Sequence, residues 1–204
     1  MSKLSKTINS KELQSIIEVL RLFKKVDKEC RSFKKSTGIS CVDKCGTCCM
    51  SSEVRTTVLE MMPLALKLWK EKEAEFWLSK INQIESPQVC VFYQVLDKTK
   101  GLGFCSQYRL RPLICRLFGF FTTTDKKGNY VYGCCRIIKQ NYPQQYQKAL
   151  DLMSQGFHPS KMTDFTVGVI SSQSGINNRM VPINMACKLA LEKIGLYLDI
   201  NKTI

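Results

Sequence analysis

The chain has 204 residues, 44% of them hydrophobic, which is enough apolar material for one ordinary core and too much for a disordered segment. It carries 31 basic and 17 acidic residues, a formal charge of +14, together with 11 cysteines. A chain of this length needs no disulfides to hold together, and its first thirteen residues are polar and lysine-rich with no apolar run of the secretory kind, so the cysteines ask for another explanation and a reducing, cytoplasmic setting is expected.

Charges recur in every candidate apolar segment, so no membrane-spanning helix and no membrane partner are expected. The net charge invites nucleic acid as a partner, through phosphate neutralisation. Metal-bound cysteines, however, are thiolates, and eight of them around two divalent ions would remove about four positive charges net.

In chain order, Leu13, Ile16, Ile17, Leu20 and Phe23 recur at helical spacing behind Ser10, a suitable N-cap, and predict an amphipathic helix over 10–29. Its lysines, Lys24, Lys25 and Lys28 among them, read as a solvated face. Residues 35–49 contain Gly38, Asp43 and Gly46 and few large apolar side chains, which predicts a loop whose geometry comes from ligation. Thr57 and Glu60 have capping-box spacing and open a long helical pattern through Ile81, with Pro63 expected in the first turn or at a kink.

Aromatic and β-branched residues at 118–124 and 129–132 flank Asp125 to Gly128 and predict a short antiparallel hairpin. Helical patterns return around 144–153 and 182–198, and residues 163–170 are expected as a strand. With no repeats and no low-complexity linker, the expected class is α+β: a mostly helical single domain over 1–204, with a short β-hairpin and a loop-rich cysteine and metal centre. Within it, 41–135 is the metal-binding region and 142–198 a helical packing layer.

The cysteines carry the functional reading. Cys41, Cys45, Cys48 and Cys49 form C-x3-C-x2-C-C inside nine residues, a crowding that buried packing cysteines do not show but thiolate ligation of a metal requires. A four-coordinate site is closed by ligands from other segments, and Cys90, Cys105 and Cys115 are candidates, as is Cys134 or Cys135. Adjacent side chains diverge, so one of that vicinal pair is expected to bind, and Cys134 is preferred. Cys30 and Cys187 lie in apolar helical patterns and read as core. His158, the one histidine, stands before Pro159 in an exposed loop, so the histidine-rich arrangements of catalytic zinc are disfavoured.

Taken together, Cys41 to Cys49, Cys90 and the stretch Cys105, Tyr108, Arg111, Pro112, Cys115, Arg116, spaced C-x2-Y-x2-R-P-x2-C-R, resemble the zinc- or iron-chelating CxxCxxCC proteins, also called YkgJ-type cysteine-cluster proteins. The resemblance spans roughly 41–120, and it departs from the pattern in having three residues between the first two cysteines. It implies a metal centre, zinc or iron-sulfur, and no particular reaction. Arg111 and Arg116 are expected to stabilise thiolate charge or to form surface ion pairs, and Pro112 to fix the turn before Cys115.

The reading that follows is a metal-binding protein with a structural or redox centre, ligated by Cys41, Cys45, Cys48, Cys49, Cys90, Cys105, Cys115 and Cys134. An iron-sulfur enzyme using S-adenosylmethionine is the first alternative, because C-x3-C-x2-C occurs in that class. It lacks the alternating strand-helix series of a partial barrel. A zinc-stabilised nucleic-acid module is the second, and it lacks aromatic-basic motifs and a recognition helix.

Overall fold

Helix α1 (Ser10–Thr37) is held by one stripe: Ile16, Val19, Phe23, Val26, Cys30, Phe33 and Thr37 are buried at alternating spacings of three and four. The computed structural model describes residues 10–84, 89–165 and 179–200. The helix runs eight residues beyond the expected 29 because Cys30, Phe33 and Thr37 continue its stripe through an otherwise polar, lysine-rich segment. It stops at Gly38, whose φ of +79° belongs to the left-handed region and whose N–H donates to the Lys34 carbonyl. Lys24, Lys25, Lys28 and Lys35 are exposed, as a solvated face requires.

The expected capping box is present. The Glu60 N–H donates to Thr57 Oγ1 at 3.2 Å, and the Thr57 N–H returns to Glu60 Oε1 at 3.4 Å. The single long helix is instead two, α2 (Val58–Lys70) and α3 (Ala74–Asn82), divided where Lys72 adopts a φ of +63°. Pro63 lies inside α2, where its missing N–H leaves the Leu59 carbonyl without its usual helical donor.

Among the described residues the strands form three separate two-stranded antiparallel sheets. β1 (Arg55–Thr57) pairs with β6 (Met180–Pro182), β2 (Tyr93–Asp97) with β3 (Leu102–Cys105), and β4 (Thr122–Thr124) with β5 (Tyr130–Tyr132). The last pair is the expected hairpin, with its turn tied by Asp125 Oδ1, which accepts from the N–H groups of Lys127 and Asn129. Further helices are α4 (Leu113–Leu117), α5 (Arg136–Asn141), α6 (Pro143–Ser154) and α7 (Ile183–Ile200). The strand expected at 163–170 is not formed where the chain is described: residues 162–165 are helical, and 166–170 lie outside the described residues.

α7 packs along α2, where Gly195 admits the Trp69 ring; a Cβ there would stand 2.6 Å from it. The Trp69 indole N–H donates to the Leu191 carbonyl at 2.8 Å. α1 packs on α2, α4 and α6. The fold is thus α+β and mostly helical, its sheet content confined to small pairs. Among the described residues no helix is long and apolar enough to cross a membrane.

Glu60 does more than cap α2. Its Oε2 accepts from the Leu113 N–H at 2.8 Å, which ties the start of α2 to the start of α4 in the interior. Replacing it (Glu60→Ala) removes a cap and strands a buried donor, so urea unfolding should show a loss of about 3 kcal/mol. A solvent-face control, Lys24→Ala, should stay within about 0.5 kcal/mol.

Candidate metal centre

A cavity of about 420 Å³ opens between the 38–49 loop, the β2–β3 hairpin, α4 and the start of α5. Eight cysteines line it: Cys41, Cys45, Cys48, Cys49, Cys90, Cys105, Cys115 and Cys135.

The loop is laid down by backbone bonds rather than by a core. The Cys45 N–H donates to the Val42 carbonyl, Lys44 turns at a φ of +54°, and its carbonyl accepts from the Gly103 N–H at 2.9 Å, docking the loop on β3. A 3₁₀ turn over Thr47–Met50 presents Cys48 and Cys49, and the Cys49 carbonyl accepts from the Cys90 N–H at 3.4 Å. Cys90 is held from the other side by Asn184 of α7, whose side chain accepts from the Val91 N–H and donates to the Val89 carbonyl. Cys105 ends β3, and Cys115 sits in α4, where its N–H donates to the Pro112 carbonyl. Pro112, with ψ of 173°, sets the turn into that helix.

The two arginines have separate tasks. Arg116 is buried, its guanidinium donating to Asp27 at 2.5 Å and to the Arg109 and Arg111 carbonyls, with the Phe23 ring 4.1 Å away. It pins α4 to α1. Arg111 lies 3.7 Å over the Tyr108 ring and donates to the Tyr108 and Cys115 carbonyls. Its charge lowers the pKa of Cys48, Cys105 and Cys115 against the effects that raise the last two.

Burial sets most of the thiol chemistry. It raises the pKa of Cys41 and Cys105, pushes Cys90 up to about 12, and raises Cys115 further. Cys48 differs. The neighbouring Cys49 thiol donates a hydrogen bond to its sulfur and lowers its pKa to about 7, and Cys49 is raised in return. The thiols of Cys48, Cys49, Cys90, Cys105 and Cys115 feel one another's charge, while Cys41 feels Cys45, Cys48 and Cys135. Cys48 therefore stands between the two sets.

Of the residues expected from sequence, Cys41, Cys45, Cys48, Cys49, Cys90, Cys105 and Cys115 come together around the cavity, and Cys134 does not line it. The Cys134 thiol points back to the Cys135 carbonyl at 3.6 Å and interacts with Tyr132, while Cys135 N-caps α5 beside the cavity. No sequence signal for α5 had been found, so nothing indicated which of the pair would face inward. Cys30 is buried on the Arg116 carbonyl and Cys187 is buried in α7; neither lines the cavity. His158 is half-buried against Tyr130, not exposed, and also stands away from it. The described strands are all antiparallel pairs and form no part of the alternating strand-helix series that the S-adenosylmethionine alternative uses.

Eight sulfur donors without an imidazole suit either zinc or an iron-sulfur cluster. Among the described residues, no three His, Cys, Asp or Glu side chains are already gathered as a single ion needs; the thiols ring the space instead.

In metal-free protein the Cys48–Cys49 pair, where one thiol stabilises the other's thiolate, should be the first of these thiols to alkylate. Its iodoacetamide rate, followed by peptide mass spectrometry, should reach its plateau at lower pH than that of an ordinary cysteine. Cys90 should stay inert over the same range, its thiol being held protonated.

Searches of curated proteins and of solved structures each returned no match. A family model, described as "Putative zinc- or iron-chelating domain", matches residues 40–148, an interval that contains every cysteine lining the cavity. With more than half of its length inside that match, the chain belongs to the CxxCxxCC family of zinc- or iron-chelating domains.

Proposed function

We propose that the chain is a metal-binding protein whose cavity thiols hold an iron-sulfur cluster in a redox or structural role, with Cys135 rather than Cys134 as the ligand from the vicinal pair. One observation carries the choice of metal: eight thiols from separate segments surround about 420 Å³, and no three of the described ligand-type side chains close on a point. Tetrahedral zinc, with bonds of about 2.3 Å, draws its sulfurs to about 3.8 Å from one another and leaves no such space. A polynuclear cluster distributes its thiolate ligands over several metal atoms and so accepts sulfurs held apart around a space.

Cys41, Cys45, Cys48 and Cys49 would bind from the loop, and Cys90, Cys105, Cys115 and Cys135 from the segments facing it. A bound cluster would supply one-electron redox chemistry or a fixed cross-link among these segments. The protein's own part is to bring the sulfurs together around one cavity and to place Arg111 where it offsets part of the thiolate charge. Domain organisation follows the same reading: 1–204 as one domain, with the helices outside 41–135 packed around the centre.

Protein purified without oxygen should be coloured and carry iron with acid-labile sulfide. Cys90→Ser or Cys115→Ser should lower bound iron at least several-fold, Cys135→Ser should lower it clearly, and Cys134→Ser should leave it unchanged. Stoichiometric zinc in colourless protein would reject the cluster, and equal iron loss in the two vicinal variants would reject the choice of Cys135.

A further inference from the structure

Tyr93 stands beside two of the cavity cysteines without being a ligand-type residue itself. Its Cα pairs with that of Cys105 in the β2–β3 ladder, and its N–H donates to the Cys90 carbonyl at 2.9 Å, so its backbone is fixed between two cavity thiols. From there the ring crosses to the 38–49 loop. A Cβ on Gly46 would stand 2.1 Å from the ring and one on Gly103 2.4 Å, so both positions must lack a side chain for the ring to enter. Gly46 has a φ of −101°, a conformation open to any residue; glycine there supplies space.

The ring brings its hydroxyl to the turn that carries Cys45, Cys48 and Cys49: a Cβ on Gly46 would stand 2.8 Å from the Tyr93 oxygen. The Tyr93 oxygen is buried and has no hydrogen-bond partner within the described residues. Buried hydroxyls are otherwise paired, because leaving one without a partner forfeits its hydration. Two glycines that admit a ring carrying an unpaired polar end point to an acceptor that ligation itself creates. A metal-bound thiolate is such an acceptor, and hydrogen bonds of this kind set ligand orientation and charge at metal centres.

We propose that Tyr93 is a positioning residue of the metal centre, donating a hydrogen bond from its hydroxyl to a ligating thiolate of the Cys45–Cys49 turn. The inference rests on the thiolate metal centre proposed above, and holds whichever of iron or zinc is bound.

The test compares wild type, Tyr93→Phe and Tyr93→Leu, all purified without oxygen with their metal. Two quantities are read: the rate of metal release to a chelator, and the thiolate-to-metal charge-transfer absorption, recorded on iron or, where zinc is bound, on cobalt in its place. Tyr93→Phe keeps the ring that Gly46 and Gly103 admit and removes only the donor. It should release metal about tenfold faster, with its absorption moved to lower energy because an unbonded thiolate gives up charge more readily. Wild-type rate and spectrum in Tyr93→Phe would overturn the inference and leave the metal centre standing. Faster release with an unchanged spectrum would also overturn it, since loosened packing would suffice. A packing role alone predicts loss of metal only in Tyr93→Leu. A wild type without metal would sink the inference and the proposed function together.

Discussion

The buried guanidinium of Arg116 is the point on which the cavity wall depends. It is 4% exposed, and its donors are taken by Asp27 on α1 and by the carbonyls of Arg109 and Arg111 in the segment leading to α4. A charge buried so deeply is tolerable only when its partners are in place, and breaking such a pair costs far more than the pair contributes. The requirement fixes where α4 lies against α1. Glu60 fixes the same short helix against α2 through the Leu113 N–H. Between these two attachments Cys105, Tyr108, Arg111 and Cys115 are brought to one side of the molecule, although α4 is too short to hold a position by itself.

The opposite wall has no comparable scaffold. The 38–49 loop is built from a few turns and one bridge to β3, and it contributes half of the thiols that line the cavity. The thiols around the cavity stand in different electrostatic conditions, Cys48 alone being lowered. Burial holds Cys90 and Cys115 as neutral thiols, while the Cys49 thiol makes Cys48 easy to ionise. A bound cation would reverse the burial effect, because a coordinating thiol is deprotonated by the metal's own charge. Metal binding would thereby gather the loop onto the rigid wall and consume part of the +14 formal charge.

Much of this was legible in the sequence where local chemistry decides the outcome. The Thr57 and Glu60 capping box, the 118–132 hairpin and the grouping of cysteines in 41–49 each follow from residues close together in the chain. What escaped was decided at a distance. The last two turns of α1 are polar except for the stripe that meets the rest of the core. The break between α2 and α3 turns on a left-handed Lys72 in a helix-favouring run. The β2–β3 hairpin has a turn, Asp97 to Gly101, that was overlooked, and with it went Tyr93, whose significance appears only when Gly46 and Gly103 face the same ring. Which cysteine of the 134–135 pair faces inward depends on α5 beginning at Arg136. Likewise, both arginines read either as partners of thiolate charge or as ion-pair residues, and only the long-range partner Asp27, which Arg116 meets at 2.5 Å and Arg111 at 3.9 Å, shows that Arg116 is held in a buried ion pair.

The account stands on the thiols around the cavity acting as the ligands of one polynuclear centre. X-ray absorption at the metal edge of protein purified without oxygen tests this most directly, because it reports the nearest atoms without reference to any activity. Sulfur as the only nearest neighbour, with a second shell of metal scatterers, is the predicted result. Nitrogen or oxygen neighbours, or a metal with sulfur neighbours but no second metal, would contradict it.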